Sequence, residues 1–233
     1  MRRHVVLAAA LTIGLALAGC SSEGESELSP SDRLAAAQDR LESTEGVLLT
    51  LQSTGVPSDA NGVRSALGNA VLTGGSVKFA GDVEARVSGV AATVEVIAID
   101  DETYMKLFTP SFEPVDLSEL GAPNPTTLFA AETGIASLLG ATIDPVAGGQ
   151  AREGRDVLTE VKGTLPGEKI EGLLNLGGPG RTFEAVYGLT EDDELRTATL
   201  TGEFFDGAES TYTLVLTDYG ETVSIEAPAS ATN

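Results

Sequence analysis

The chain reads as an α+β protein built on antiparallel strands, and three observations say so. Segments with period-2 alternation follow one another from residue 47 to 99, and again from 157 to 217. Short Gly-containing or acidic turns separate most of them, which is the spacing of hairpins rather than crossovers. The helical patterns are short and scattered, with no βαβ alternation, so a doubly wound nucleotide-binding sheet is not expected.

In chain order, residues 31–45 place Leu34, Ala37 or Gln38, Leu41 and Thr44 at helical spacing, with Ser31 as cap and Gly46 as terminator. The period then falls to 2, with Val47, Leu49 and Leu51 on one face. Residues 53–75 are broken by Gly, Pro and Asn, and 63–72 fits a short strand or a short helix. The clearest alternation is 77–87. Val77, Phe79, Gly81, Val83, Ala85 and Val87 share one face, and Lys78, Asp82, Glu84 and Arg86 lie on the other. That is a half-buried antiparallel strand. Ser88-Gly89 turns the chain into a strand at 90–99, with Val90, Ala92, Val94, Val96 and Ala98 on one side. Asp100-Asp101 turns it again into 102–108, and 112–117 follows.

Asn124-Pro125 starts a helix through Glu132, and 134–139 adds a second helical turn. Their apolar members are Leu128, Phe129, Ile135, Leu138 and Leu139. Strands resume near Ala151 and at 157–165, a short helix spans 168–174, and strands at 182–189, 195–205 and 210–217 complete the pattern.

Composition narrows the chemistry. The chain has 14 Lys plus Arg against 35 Asp plus Glu. Such a surface repels nucleic acid, which is not an expected partner. His4 and Cys20 are the only His and Cys. Downstream of residue 20 there is therefore no imidazole base, no His-containing zinc site, no thiol nucleophile and no disulfide. The dense carboxylate clusters, Asp100-Asp101-Glu102 and Glu191-Asp192-Asp193-Glu194, lack the spacing of a calcium loop and read as solvated turns. Gly177-Gly178-Pro179-Gly180-Arg181 precedes a strand rather than a helix, so it reads as a turn and not a phosphate cradle. No cofactor, no metal and no enzymatic activity are expected.

Residues 1–19 are built like an export signal. Arg2 and Arg3 precede an apolar run from Val5 to Ala18, shorter than the ~20 residues that span a bilayer. Leu17-Ala18-Gly19-Cys20 resembles the lipobox of bacterial lipoproteins, which implies cleavage before Cys20 and diacylglyceryl modification of its thiol. Two acyl chains hold a protein stably at a membrane where one does not. The expected location is the extracytoplasmic face of the cell membrane, anchored at Cys20. Residues 20–30, rich in Ser, Glu and Gly, read as a flexible tether, 31–228 as the domain and 229–233 as a tail.

Several stretches, in this order and spacing, resemble the LppX/LprA/LprF/LprG lipoproteins of mycobacteria and related actinobacteria. They are Gly81 to Gly89, Glu95 to Leu107, Asn124-Pro125, Gly134 to Leu139, Arg152 to Asp156, and Leu214 to Val223. Tyr219 departs from the family, in which Trp is common there, and residues 53–72 have no clear counterpart. The resemblance implies a curved antiparallel sheet, a half-barrel, with several helices on its concave face enclosing an apolar cavity. It implies an acylated lipid or glycolipid as ligand, carried across the envelope, in some members beside an exporter of the major facilitator type. Alternation supplies candidates for the cavity wall: Val77, Phe79, Val83, Ala85, Val87, Val94 and Val96, with Leu128, Ile135 and Leu138 from the helices. Composition alone does not separate cavity wall from dry core. A second reading makes the chain a non-catalytic accessory lipoprotein that supports an exporter or cell-wall machinery without carrying lipid.

Overall fold

The computed structural model describes residues 28–87, 89–106, 110–120 and 122–229. The expected export signal, Cys20 and most of the expected tether lie outside them.

Eleven strands form one open antiparallel sheet. They are β1 Gly46–Thr54, β2 Gly62–Val71, β3 Lys78–Val87, β4 Val90–Ile99, β5 Glu102–Lys106, β6 Glu113–Pro114, β7 Ile143–Glu153, β8 Asp156–Pro166, β9 Thr182–Leu189, β10 Leu195–Phe205 and β11 Ala208–Thr217. The spatial order is β6-β5-β4-β3-β2-β1-β11-β10-β9-β8-β7. Every adjacent pair except β1–β11 is also consecutive in the chain. Two meanders are thus joined along β1–β11, from Leu48 opposite Thr217 to Thr54 opposite Thr211. The two edges, β6 and β7, are consecutive in sequence, so residues 115–142 must cross from one edge of the sheet to the other. They cross the concave face and form its cover.

Three α-helices share that face: α1 Pro30–Glu42, α2 Ile135–Gly140 and α3 Gly167–Leu174. α1 starts one turn position earlier than the sequence suggests. Its cap is Ser29, whose hydroxyl oxygen accepts from the Asp32 amide at 3.2 Å, and Pro30 occupies the first helical position. Proline is pre-set for that place and loses no hydrogen bond there. Leu34, Ala37 and Leu41 form the buried face of α1, packed against α2 and across β7 and β10. Ile135, Leu138 and Leu139 of α2 meet it, and Leu189, Leu195, Ala198 and Leu216 supply the sheet side of the core. Burying a Leu or Ile side chain contributes about 1.5–3 kcal/mol each. Every buried apolar residue among those described lies between Leu34 and Ile225, so the core is complete within the domain.

Opposite the helices the sheet is solvated. Thr199 faces Thr213 across β10–β11 with hydroxyls 3.5 Å apart, and Thr201 faces Thr211 at 3.0 Å. Such hydroxyl pairs stabilise a wet sheet face.

Several elements differ from the sequence reading or sharpen it. Residues 62–71 are a strand, resolving the ambiguity of that stretch. The helix expected from Asn124 to Glu132 is only a 3-10 turn, Pro125–Phe129, ended at Ala130, whose N–H donates to the Thr127 carbonyl at 3.2 Å. β7 begins at Ile143 rather than near Ala151, and a further 3-10 turn spans Leu117–Leu120. The Glu191–Glu194 segment is a turn, but not merely a solvated one. Asp193 pairs with Arg33 at 2.9 Å and Glu194 with Arg40 at 3.1 Å, so the β9–β10 turn holds α1 in place.

Candidate functional site

The helices fill the concave face over β7–β11 but not over β1–β5. There many inward positions of β2 and β3 are small. Ala66, Gly68 and Ala70 point inward from β2, and Gly81 and Ala85 from β3. Gly68 stands directly opposite Gly81 in the ladder. Neither has room for a side chain: a Cβ on Gly81 would lie 2.2 Å from the Leu67 carbonyl oxygen, and one on Gly68 would lie 2.5 Å from the Phe79 ring. The Phe79 ring therefore lies over Gly68 as the floor. Glycine within a strand permits such close approach and sharp bending. A bulge at Arg64, between the Val63–Ala85 and Ser65–Glu84 pairs, bends β2 further.

The result is a narrow apolar cavity of about 200 Å³ that opens to solvent. Leu49 and Leu51 of β1, Val63 and Ala66 of β2, Phe79, Val83 and Ala85 of β3, Val94 and Val96 of β4 and Met105 of β5 make its walls. Leu174 and Leu176, at the end of α3, close one side. Leu51, Ala66, Val83 and Val94 form a continuous row across four strands. From Phe79 to Ala85 the wall runs about 20 Å at ~3.3 Å per residue. That is long enough for an extended fatty acyl chain.

The roof is the crossing segment, with Leu117, Ala122, Pro123, Pro125 and Leu128 turned to the cavity. Its fixing point is Asn124, whose side-chain oxygen caps the Thr126 amide at 3.0 Å and whose side-chain amide donates to the Asp100 carbonyl at 2.8 Å. Outside the roof, Asp101, Glu102, Asp116, Ser118 and Asn175 border a separate polar groove. Among the described residues no group of three or more His, Cys, Asp or Glu side chains is placed to hold a metal ion, and no helix is long and apolar enough to cross a membrane.

One end of the cavity is polar. Asn61, Gly62, Arg86 and Tyr212 line it, with Gly62 opposite Arg86 in the ladder. Tyr212 is 1% exposed, packs its ring 4.7 Å from that of Phe204, and its hydroxyl has no hydrogen-bond partner. Burial pushes its pKa up to about 12, against the opposing pull of the Arg64 charge. Arg64 itself donates to the carbonyls of Val56, Pro57 and Ala60 at 3.1, 2.8 and 3.3 Å, folding the β1–β2 loop around the guanidinium.

Two solved structures share this architecture. LprF from Mycobacterium bovis superposes with a TM-score of 0.71 at 14% identity, over 86% of this chain and 97% of that one. LppX from Mycobacterium tuberculosis does so with a TM-score of 0.62 at 16% identity, over 84% and 98%. No curated protein matches the sequence itself. The family model of the LppX/LprAFG lipoproteins matches residues 29–225. The chain belongs to the LppX/LprAFG lipoprotein family.

Within this LppX/LprAFG domain the ten positions suggested by alternation and apolar character separate into groups. Phe79, Val83, Ala85, Val94, Val96 and Leu128 line the cavity together. Val77 precedes β3, where its amide donates to the Asp100 carboxylate at 2.9 Å, and it is not part of the lining. Ile135 and Leu138 lie in the filled core between α1 and α2, each 1% exposed, and also do not reach the cavity. The side chain of Val87, like Cys20, lies outside what is described. Sequence reasoning passed over the roof residues from Leu117 to Pro125, Met105, and the polar end at Asn61, Arg86 and Tyr212. Tyr212 alternates with Leu214 and Leu216 on β11, so its phenol at an otherwise aliphatic row was the available signal.

Proposed function

We propose that the protein is a membrane-anchored lipoprotein that takes the acyl chains of a lipid or glycolipid into this cavity and carries it across the cell envelope. Cys20 is the attachment point in this reading, and residues 20–30 give the domain reach above the membrane. Delivery to or from a membrane exporter would follow from family membership. The observation that carries the proposal is the aliphatic wall from Leu51 through Ala66 and Val83 to Val94, which borders an apolar cavity beneath the crossing segment. Exposed apolar surface of this kind is unfavourable in water, and each methylene of a bound chain that covers it contributes about 0.8 kcal/mol before ordering costs. Asn61, Arg86 and Tyr212 gather at one end, where a headgroup is oriented rather than transformed. The proposal is one of binding, and no reaction is assigned.

The test is mass spectrometry of the organic extract of residues 21–233, secreted without the anchor by the native host. The expected result is an acylated lipid in stoichiometric amount. A domain that leaves the cell without lipid, and takes none from acyl-lipid vesicles, would overturn the reading.

A further inference from the structure

The Tyr212 hydroxyl has no role in the fold. It is buried and without a partner, although buried polar groups are almost always paired. Its neighbourhood explains which way it can bond. A Cβ on Gly62 would stand 3.5 Å from the hydroxyl oxygen, and Gly62, which has none, lines the cavity. The hydroxyl therefore lies beside a residue of the cavity lining, next to the position a Gly62 side chain would take. Arg64 is close enough for its charge to act on the phenol, but it does not line the cavity. A nearby cation attracts the oxygen's lone pairs, so the O–H bond turns away from Arg64. At neutral pH the phenol keeps its proton and is available as a donor.

We infer that Tyr212 is the polar anchor of the cavity: its hydroxyl donates to an ester carbonyl of the bound lipid, seating the chain with its carbonyl end at Gly62 and its methyl end toward Phe79. The inference rests on the proposed lipid-binding function and adds selection for ester-linked over ether-linked chains. An ester carbonyl fits better than a phosphate here, because the hydroxyl is buried and the Arg64 guanidinium already serves three backbone carbonyls. The rest of a headgroup leaves past Asn61 and Arg86, at the same end.

The test uses residues 21–233, which contain the whole core, and two probes with the same fluorescent headgroup and chain length. One is a dipalmitoyl ester lipid and the other its dialkyl ether analogue. The wild type should bind the ester about three- to tenfold more tightly, the range of one net hydrogen bond. Tyr212→Phe should bind both probes as the wild type binds the ether. Without lipid, Tyr212→Phe should melt at or above the wild-type temperature, because it removes an unpaired hydroxyl. Equal affinity of the wild type for the two probes overturns the inference while leaving lipid binding intact, and needs no variant. So does an ester preference that survives Tyr212→Phe, or a lipid-free variant that melts well below the wild type. A wild type that binds neither probe overturns the lipid-binding reading and this inference with it.

Discussion

The Asn124 side-chain amide donates to the Asp100 carbonyl oxygen at 2.8 Å, and this bond joins the cavity roof to the β4–β5 hairpin. Asp100 serves both sides of the junction. Its carbonyl also accepts from the Thr126 hydroxyl at 2.8 Å, while its carboxylate takes the Val77 amide at 2.9 Å and the Ser76 hydroxyl at 3.0 Å. The residue sits at φ 50°, a left-handed conformation that Asp tolerates better than most side chains.

Asn124→Ala removes both this bond and the cap on Thr126. The expected cost is about 1–2 kcal/mol, a fall of roughly 2–8 °C in Tm for a domain of this size. Calorimetry of the lipid-free domain checks it. An unchanged Tm would mean that the roof is held by packing alone.

The paired glycines give a second prediction. A Cβ on Gly81 would meet the Leu67 carbonyl oxygen at 2.2 Å and the Gly68 Cα at 2.5 Å, both backbone atoms that cannot swing aside. Gly81→Ala should therefore cost about 3 kcal/mol or more. Gly149→Ala, on exposed β7 with its nearest neighbour 4.0 Å from the new methyl, should stay within about 0.5 kcal/mol of wild type. Denaturant unfolding of the two variants side by side tests the contrast.

The same residues explain what could be read from the sequence. β3 and β4 were legible because valines on one face alternate with acids and lysine on the other, and β9 and β10 run between the residues their patterns suggest. β2 was ambiguous for the reason that makes it functional. Ala66 borders the cavity and Gly68 lets the Phe79 ring lie across the strand, and such small side chains also erase the hydrophobic period. The start of β7 was not legible because it is an edge strand with no buried residue, interrupted by Pro145 and Gly148-Gly149. Ile135 and Leu138 were assigned to the cavity because apolar character marks core and cavity wall alike. Only the packing of α2 on α1 separates them.

Alkaline pH should unfold the domain through its tyrosines. Burial raises Tyr187 and Tyr212 to about 12 and Tyr219 above its ordinary value of 10.0. In the unfolded chain these phenols ionise near 10, so folding favours their protonated form. Their contribution is whole below about pH 10 and is lost as pH rises toward about 12. Circular dichroism and tyrosinate absorbance followed together should change in one transition. Tyrosinate from all three appearing at pH 10 in a folded domain would contradict this.

Attachment at Cys20 predicts that Cys20→Ala leaves the membrane fraction or accumulates as an uncleaved precursor. Fractionation with immunodetection reads the outcome. A processed variant that still sediments with membranes would place the anchor elsewhere.

The central claim, that the face of β3 and β4 is cavity wall rather than filled core, is tested by placing one bulky side chain in each environment. Val83 is half-buried on the wall, while Leu138 is fully enclosed between α1 and α2. Leu138→Trp should overpack and cost about 1–3 kcal/mol or more. Val83→Trp should extend its indole into the cavity, keep stability within about 1 kcal/mol of wild type, and abolish uptake of acyl lipid. The deciding measurement is thermal unfolding of lipid-free Val83→Trp alongside its lipid uptake. Near-normal melting with lost uptake is the predicted result; early melting with normal uptake would contradict the account.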